Sequence, residues 1–560
     1  MENQPFTPVP TGNTRLGRLA VAAVAAAAGV SQLWIVDRSA VPMDEGHLAA
    51  AASRILGGEV LYRDIHTGIA PGIYHFTAGL FALFGEDLLV TRWSQWALNV
   101  AIAVCLWRLA VRVVRIHWAV LAPALYLLLV VVAFPVLTML NYSSLSLACA
   151  LGALLFAQRY LEAGRVADGV VLGLLLAFTA LAKQNFGVLA IAAVGGSLLW
   201  NRGCSALADR SRVSAALPVV GSAAVAALAT VVVFASEGAL MDLLNATLID
   251  VGGPQLAAFN NPIPPLFGSH PQGDPRFMFL YTPPTLFNHM LRGGTVFGEP
   301  VSAFLRELSI RLSYGLPMAS LAAATLALWL TRGEGTPLQR GEARGLVAFG
   351  ALFFLGIFPS AIWSHLAFVV APTLVALAIA LDRLEGLCTL RFGAPRRVAA
   401  VAAGALAVAC LAVCLRVGWQ VRSWYPEPLG LPHATLFVND NQAALYRGAV
   451  EFLDGCAAEG EAVFVAPDIP LLYFLSERPN PTRYDLTIPG NVDGSRIVRR
   501  LEEEQTRCVV YNPRMYPEFP PFEVLFPALN RHLKAAYRRA AVISGVGMEW
   551  RGLVRRNAAP

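Results

Sequence analysis

The stretch Ile69-Ala-Pro-Gly-Ile-Tyr-His-Phe-Thr-Ala-Gly-Leu-Phe-Ala-Leu-Phe84 is apolar and short, and it can be read either as a membrane span or as a helix lying on a membrane surface. If it crossed, the next apolar block, Leu88 to Leu106, would end outside with Arg108, Arg112 and Arg115. Basic residues concentrate in short cytoplasmic loops, so that arrangement is disfavoured. We therefore expect Ile69 to Phe84 to lie on the outer surface, where its His and its shortness are tolerable.

With that choice the rest of the chain falls into register. The block Leu19 to Val36, preceded by Arg15 and Arg18, reads as an uncleaved signal anchor with its N-terminus in the cytoplasm. Further spans are expected at Leu88 to Leu106, Trp118 to Pro135, Ser144 to Leu161, Val166 to Ala182, Phe186 to Trp200, Ala215 to Ala235, Ile310 to Leu330, Leu346 to Phe358, Leu366 to Leu381 and Val398 to Val417. Every Arg-rich short loop then falls on one side, and the count is eleven spans. The long polar regions Asp37 to Asp87, Ser236 to Glu307 and all that follows Arg416 fall on the other.

Composition supports the same class. Of 560 residues, 56% are hydrophobic and 14% charged, and mean hydropathy is +0.56. A soluble domain carries about a quarter charged residues, so a soluble globular protein is excluded. The net charge of +6 resides mostly in the span-connecting loops, which speaks against nucleic acid as a partner. The Cys and His residues show no metal-ligand spacing, no cofactor is called for, and a divalent cation is left open. Cys456 and Cys508, in the polar C-terminal part, are left as a pair that can form.

The expected fold is an all-α polytopic membrane bundle of about eleven transmembrane helices over residues 1–417. A small α/β domain outside takes up residues 418–560. In it Ala462 to Ala466 and Cys508 to Tyr511 read as buried strands, and Ser495 to Gln505 and Phe522 to Arg539 as helices.

The first outer loop carries Val41-Pro-Met-Asp-Glu-Gly-His-Leu48, with two adjacent carboxylates and a His beside an apolar slab. Such a cluster either marks a site or is simply a helix start, with Asp44 as cap and Glu45 in the first turn. Gly57-Gly-Glu-Val-Leu-Tyr-Arg-Asp64, Gly68-Ile-Ala-Pro-Gly-Ile-Tyr74, Leu83-Phe-Gly85 and Arg92 follow. This succession resembles the first outer loop of the GT-C membrane glycosyltransferases, in the bacterial branch related to protein O-mannosyltransferases and lipid A aminoarabinose transferase.

The resemblance implies a bacterial inner-membrane enzyme that takes a sugar from a polyprenyl phosphate carrier at the outer face, with inversion, and gives it to an acceptor the sequence does not name. It puts the acidic catalytic role on Asp44, with Glu45 as neighbour. Donor phosphate is expected at Lys183, His365 and Arg92, and substrate at His47, Tyr62, Asp64, Asn141 and Tyr142.

The chemistry fits these residue types. A carboxylate at a low-dielectric boundary has a raised pKa suited to a general base, and a compact ammonium suits a phosphate leaving group. Of 43 basic residues 41 are Arg, so Lys183, one of two Lys, draws notice, although a snorkelling anchor would look the same. His365 lies in Phe358-Pro-Ser-Ala-Ile-Trp-Ser-His-Leu366, which resembles a Pro-Arg-x-Asp-x-x-His-Leu pattern of the branch, with Ser360 and Ile362 in place of Arg and Asp. Asn141 stands where relatives often carry an acid, and a helix cap is an equal reading.

In the C-terminal part, Arg478 and Arg483 offer an anionic platform or ties to the domain's own carboxylates. A transporter or flippase of a lipid-linked or anionic substrate is the alternative. It predicts ionisable groups at mid-membrane, whereas here they gather at one face. A non-catalytic scaffold is a third reading.

Overall fold

The computed structural model describes residues 15–250, 259–271, 273–291, 295–296, 299–300, 303–333, 335–392, 396–488, 492–514, 519–545 and 548–556. Parts of the Ser236 to Glu307 loop, and Gly490, lie outside the described residues. Each apolar block is helical. In chain order the helices used below are α1 (Arg15–Gln32), α2 (Asp44–Leu56), α3 (Gly72–Phe84), α4 (Leu88–Ala110), α5 (Leu121–Val132), α6 (Tyr142–Ala163) and α7 (Val166–Ala182). They continue with α8 (Gln184–Asn201), α9 (Arg212–Ser236), α10 (Ala303–Leu330), α11 (Pro337–Phe354), α12 (Trp363–Val369), α13 (Ala371–Phe392) and α14 (Arg396–Trp424).

Local chemistry sets many of the boundaries. Asp87 and Asn141 cap α4 and α6 through their side chains, Thr336 and Gln339 close a capping box on α11, and Gly164 ends α6 in the left-handed conformation. By length and composition α4, α6, α9, α10 and α14 can each cross a bilayer, among the described residues. The pair α12 and α13, bent by 58° just before Pro372, is a broken span or a re-entrant loop, and counts as a sixth crossing if it is one span. Gly17–Gln32, Ile116–Val132 and Val166–Ala182 are apolar but shorter.

The helix α3 packs one face, Ile73, Tyr74, Thr77, Ala78 and Phe81, against its neighbours. It leaves Phe76, Leu83 and Phe84 exposed, a burial pattern suited to a helix on a membrane surface. Inside the bundle, neutral amides tie helices together. Asn99 Nδ2 donates to Gln32 Oε1 (2.7 Å) and to the Leu137 carbonyl (2.8 Å), and Tyr126 Oη donates to Asn99 Oδ1 (2.8 Å).

Opposite ends of the bundle carry different chemistry. At one end Arg112 pairs with Glu162 and with Glu342 (2.8 Å), while Arg115 pairs with Asp382 (2.7 Å) and Glu385 (2.7 Å). The ends of α4, α6, α11 and α13 that the charge rule puts on one side thus meet in space. The other end bears α2, α3 and the chain beyond α14.

Beyond Trp424 a helix, Asp440–Cys456, packs on a four-stranded sheet of β1 (Phe464–Ala466), β2 (Cys508–Tyr511), β3 (Tyr537–Gly545) and β4 (Met548–Arg555), in the order β1-β2-β4-β3. The β1–β2 pair is parallel and the rest antiparallel. Cys456 and Cys508 are joined, tying that helix to β2. The two expected strands are present, and Ser495 to Gln505 is helical over Gly494–Glu503.

Phe522 to Arg539 is not one helix. It is cut before Pro527, resumes over Pro527–Ala536, and passes at Tyr537 into β3. A proline disfavours helix in the residue before it, and Arg538 and Arg539 pair with Val554 and Leu553.

Close approach of α7 and α9 depends on Gly173, where an added Cβ would meet the Val219 carbonyl and Ser222 Oγ. Gly173→Ala should cost about 1–3 kcal/mol by overpacking and lower the unfolding temperature in detergent. Gly221→Ala, which meets nothing on the same α9 helix, should leave it nearly unchanged.

Candidate active site

The site forms at the start of α2, where Asp44 comes within electrostatic range of Lys183 in the α7–α8 turn. Asp44 and Glu45 are neighbours in sequence with opposite fates. Glu45 is buried and bound in two-pronged fashion by Arg92, Nε to Oε1 at 2.5 Å and Nη2 to Oε2 at 2.6 Å. Its Oε2 also accepts from the Val41 amide (3.0 Å). Asp44 lies one position earlier, half-buried, with no hydrogen-bond or ion-pair partner among the described residues. Burial pushes its carboxyl up to about 6, against the opposing pull of Lys183.

Lys183 sits at the turn between α7 and α8, its backbone extended at φ −152°. Its Nζ donates to Ser143 Oγ (2.9 Å) and lies 4.0 Å from the Phe186 ring centroid and 5.2 Å from that of Tyr142. Burial lowers its pKa to about 7, offset in part by Asp44. A carboxylate without a partner thus lies within electrostatic range of an ammonium held by one hydroxyl and two rings. His365 completes the group. Its Nδ1 is hydrogen-bonded to the Ser360 carbonyl (2.7 Å), which places the proton on Nδ1, and it is close enough to Lys183 for their charges to interact.

Other expected site residues are placed differently. Arg92 is fully buried and spent on Glu45, on the carbonyls of Arg38 (3.3 Å) and Ser39 (3.0 Å) and on Thr138 Oγ1 (3.3 Å), so it has no donor left for a phosphate. Glu45, its partner, is likewise unavailable as a second catalytic acid. Arg63 pairs with Asp64 (2.8 Å) and donates to the Glu237 carbonyl (3.0 Å).

Tyr62 is buried at a positive φ of 71°, with its hydroxyl on the Ile69 carbonyl (2.7 Å). Asp64 accepts from the Val60 amide (2.8 Å) and closes the same turn. Both shape the loop and do not face the open group. Asn141 caps α6, its Oδ1 accepting from the Ser143 amide (2.7 Å), which is the capping role. In so doing it sets Ser143, the hydroxyl that holds Lys183.

His47 lies one turn after Asp44. Its Nε2 meets the Tyr74 hydroxyl (3.1 Å), which also bonds Thr67 Oγ1 (2.7 Å). Burial lowers the His47 pKa, and Arg54 adds to that, against the pull of Asp485. Ser360, in the place of an expected Arg, accepts from Asn261 Nδ2 (2.9 Å), and Asn261 also accepts the Ala361 amide (2.7 Å). The departure from the pattern thus serves to dock the second outer loop.

Ser143, Gln184 and Asp485 were not anticipated. Gln184 clamps the loop between α2 and α3 with both arms of its amide, donating to the Gly68 carbonyl (2.7 Å) and accepting from the Ala70 amide (3.2 Å). A polar residue directly after Lys183 was its only signal. Among the described residues no group of three or more His, Cys, Asp or Glu is arranged to hold a metal.

Residues 69–236 match the family described as dolichyl-phosphate-mannose-protein mannosyltransferase. Among solved structures, ArnT from Cupriavidus metallidurans bound to undecaprenyl phosphate superposes with a TM-score of 0.53 at 14% identity, over 99% of this chain and 100% of that one. Its apo form gives 0.53 at 15% identity, over 96% and 97%. No curated protein matches the chain in sequence. The chain thus has the fold of the GT-C membrane glycosyltransferases over its whole length, and from residue 69 to residue 236 it also matches the mannosyltransferase family in sequence.

Proposed function

We propose that this protein is an inverting glycosyltransferase that moves a sugar from a polyprenyl phosphate carrier to an acceptor at the outer face of a bacterial inner membrane. The observation that carries the reading is a carboxylate without a hydrogen-bond or ion-pair partner among the described residues, Asp44, within electrostatic range of the Lys183 ammonium, which Ser143 holds. The likeness to a fold whose solved ArnT example holds undecaprenyl phosphate supports the choice of carrier. The eleven-span topology, with α1 entering from the cytoplasm and residues 418–560 as a periplasmic domain, belongs to the same proposal. The Cys456–Cys508 disulfide accords with an oxidising compartment for that domain.

In this reading the acceptor hydroxyl gives its proton to Asp44. Its oxygen bonds to the anomeric carbon, and the bond from that carbon to the carrier phosphate breaks with its electron pair on the phosphate. The ammonium of Lys183 meets the charge that develops there, in a poorly solvated site where such an interaction is strong. His365, its Nδ1 proton fixed by the Ser360 carbonyl, has Nε2 as an acceptor, suited to a sugar hydroxyl and not to the phosphate. Glu45 and Arg92 hold α2 and take no part in proton transfer.

Asp44→Asn keeps size and removes the base, and should lower transfer roughly 10²- to 10⁴-fold while donor binding and protein level persist. Near-normal transfer by that variant would overturn the assignment. Lys183→Ala should raise the donor concentration needed for half-saturation more than Lys183→Arg does, because Arg keeps the charge while losing the compact geometry.

The pH dependence follows from the two groups. Asp44 must be ionised, so the rate climbs as pH rises through about 6. Lys183 must be protonated to receive the phosphate, so kcat/KM falls as pH rises through about 7. A bound phosphate raises the pKa of Lys183, so kcat at saturating donor should retain only the acid limb. In Lys183→Arg the alkaline limb of kcat/KM should disappear.

A further inference from the structure

Asp485 lies in the C-terminal part, far in sequence from the first outer loop, yet it is fully buried against that loop. Its Oδ1 accepts from Arg54 Nη1 (2.5 Å) and from Asn480 Nδ2 (2.9 Å). Among the described residues its Oδ2 accepts no hydrogen bond, and His47 Nδ1, 3.7 Å away, also has no hydrogen-bond partner. A buried carboxylate oxygen left without a donor is costly, and Arg54 is shared with Glu59 (2.6 Å) and the Asp64 carbonyl (2.9 Å).

The two open atoms define an Asp–His arrangement. A carboxylate facing Nδ1 keeps the proton there, so Nε2 accepts from the Tyr74 hydroxyl, which in turn accepts from Thr67. This chain runs along the face of α2 that also bears Asp44, three residues before His47, and Tyr74 is close enough to Asp44 for their charges to interact. The start of α2 is seated from the same side, because at Gly46 any Cβ would meet the backbone of Leu471. Leu471 also donates its amide to the Pro42 carbonyl (3.2 Å).

The geometry points to Asp485 as a positioning residue for the transfer reaction: through His47 it fixes the tautomer and rotation of a side chain that frames the acceptor side of Asp44, so that the C-terminal part completes the active site. This rests on the glycosyltransferase reading. Asp485→Asn preserves shape and removes the charge that selects the tautomer. A misaligned near-attack geometry costs up to about 100-fold, so turnover should fall roughly 10- to 100-fold with donor half-saturation within about twofold.

The test uses membranes of a deletion strain, in which the polyprenyl phosphate sugar and its unmodified acceptor accumulate, mixed with purified full-length protein. Loss of the pooled lipid sugar is followed by mass spectrometry for wild type, Asp44→Asn, His47→Ala, Asp485→Asn and the double variant. If Asp485 acts through His47, the double variant is no slower than His47→Ala alone. Multiplied losses, or wild-type turnover in Asp485→Asn, would overturn the proposal, since a carboxylate that only neutralises Arg54 acts independently of His47. Should Asp485→Asn fail to accumulate, Asn480→Ala removes one donor to Oδ1 and keeps the charge, and the same non-additivity with His47→Ala is expected. If no lipid sugar pools, or if Asp44→Asn is fully active, it is the glycosyltransferase reading that fails; if Asp44→Asn is inert and Asp485→Asn is normal, only the role of Asp485 does.

Discussion

The end of the bundle that bears α2 and α3 hangs on one guanidinium. Arg92 has no exposed surface, and it joins four pieces of chain: Glu45 on α2, the carbonyls of Arg38 and Ser39 after α1, Thr138 before α6, and its own helix α4. Desolvating such an ion pair is expensive, and it is tolerable only when its hydrogen bonds are nearly all made, as they are here. Once that cost is met, α2 has one orientation. Glu45 points inward to Arg92, and Asp44, turned by one residue around the helix, points elsewhere. The division of labour between two adjacent carboxylates is therefore a consequence of helical geometry and of a single buried partner.

The same logic separates the two ends of the bundle. At the Arg-rich end, cations and carboxylates neutralise each other in pairs, as Arg115 does with Asp382 and Glu385. At the other end Asp44 and Lys183 interact at a distance, with the ammonium held by Ser143 and aromatic rings and, among the described residues, no carboxylate within ion-pair reach. Charges that are left apart in a poorly solvated place retain the capacity to act on a third group, and their pKa values move toward neutrality for that reason.

How much of this was legible in the sequence varied with the range of the interaction. Helices are set by local runs of apolar residues, so the blocks around Val166 and Val398 are visible directly, and Asn141 before α6 reads as a cap. Asp44 and Lys183 stood out through residue type and position. Arg92 did not, because nothing in one sequence distinguishes an Arg that will be used up internally from one that will face a phosphate. Tyr62 and Asp64 looked like recognition residues and are a turn, at a positive φ that only the folded loop imposes. The expected helix Phe522 to Arg539 runs into the first residues of the strand Tyr537–Gly545, because that strand's pairing with Met548–Arg555 is non-local, although Pro527 marks a break earlier in the stretch.

A loop of two short helices cannot by itself hold a carboxylate to a fraction of an ångström, and the segment that carries α2 and α3 does not have to. Arg92 grips it from below, and Gln184, next to Lys183, takes both the Gly68 carbonyl and the Ala70 amide. From above, Gln442 and Tyr446 donate to the Ala40 carbonyl (2.9 and 3.2 Å), and His66 donates its amide to the Arg483 carbonyl (2.7 Å). Asp44 and Lys183 thus come from the helical bundle and the loop after α1, while part of the rigidity of that loop comes from the chain after Trp424.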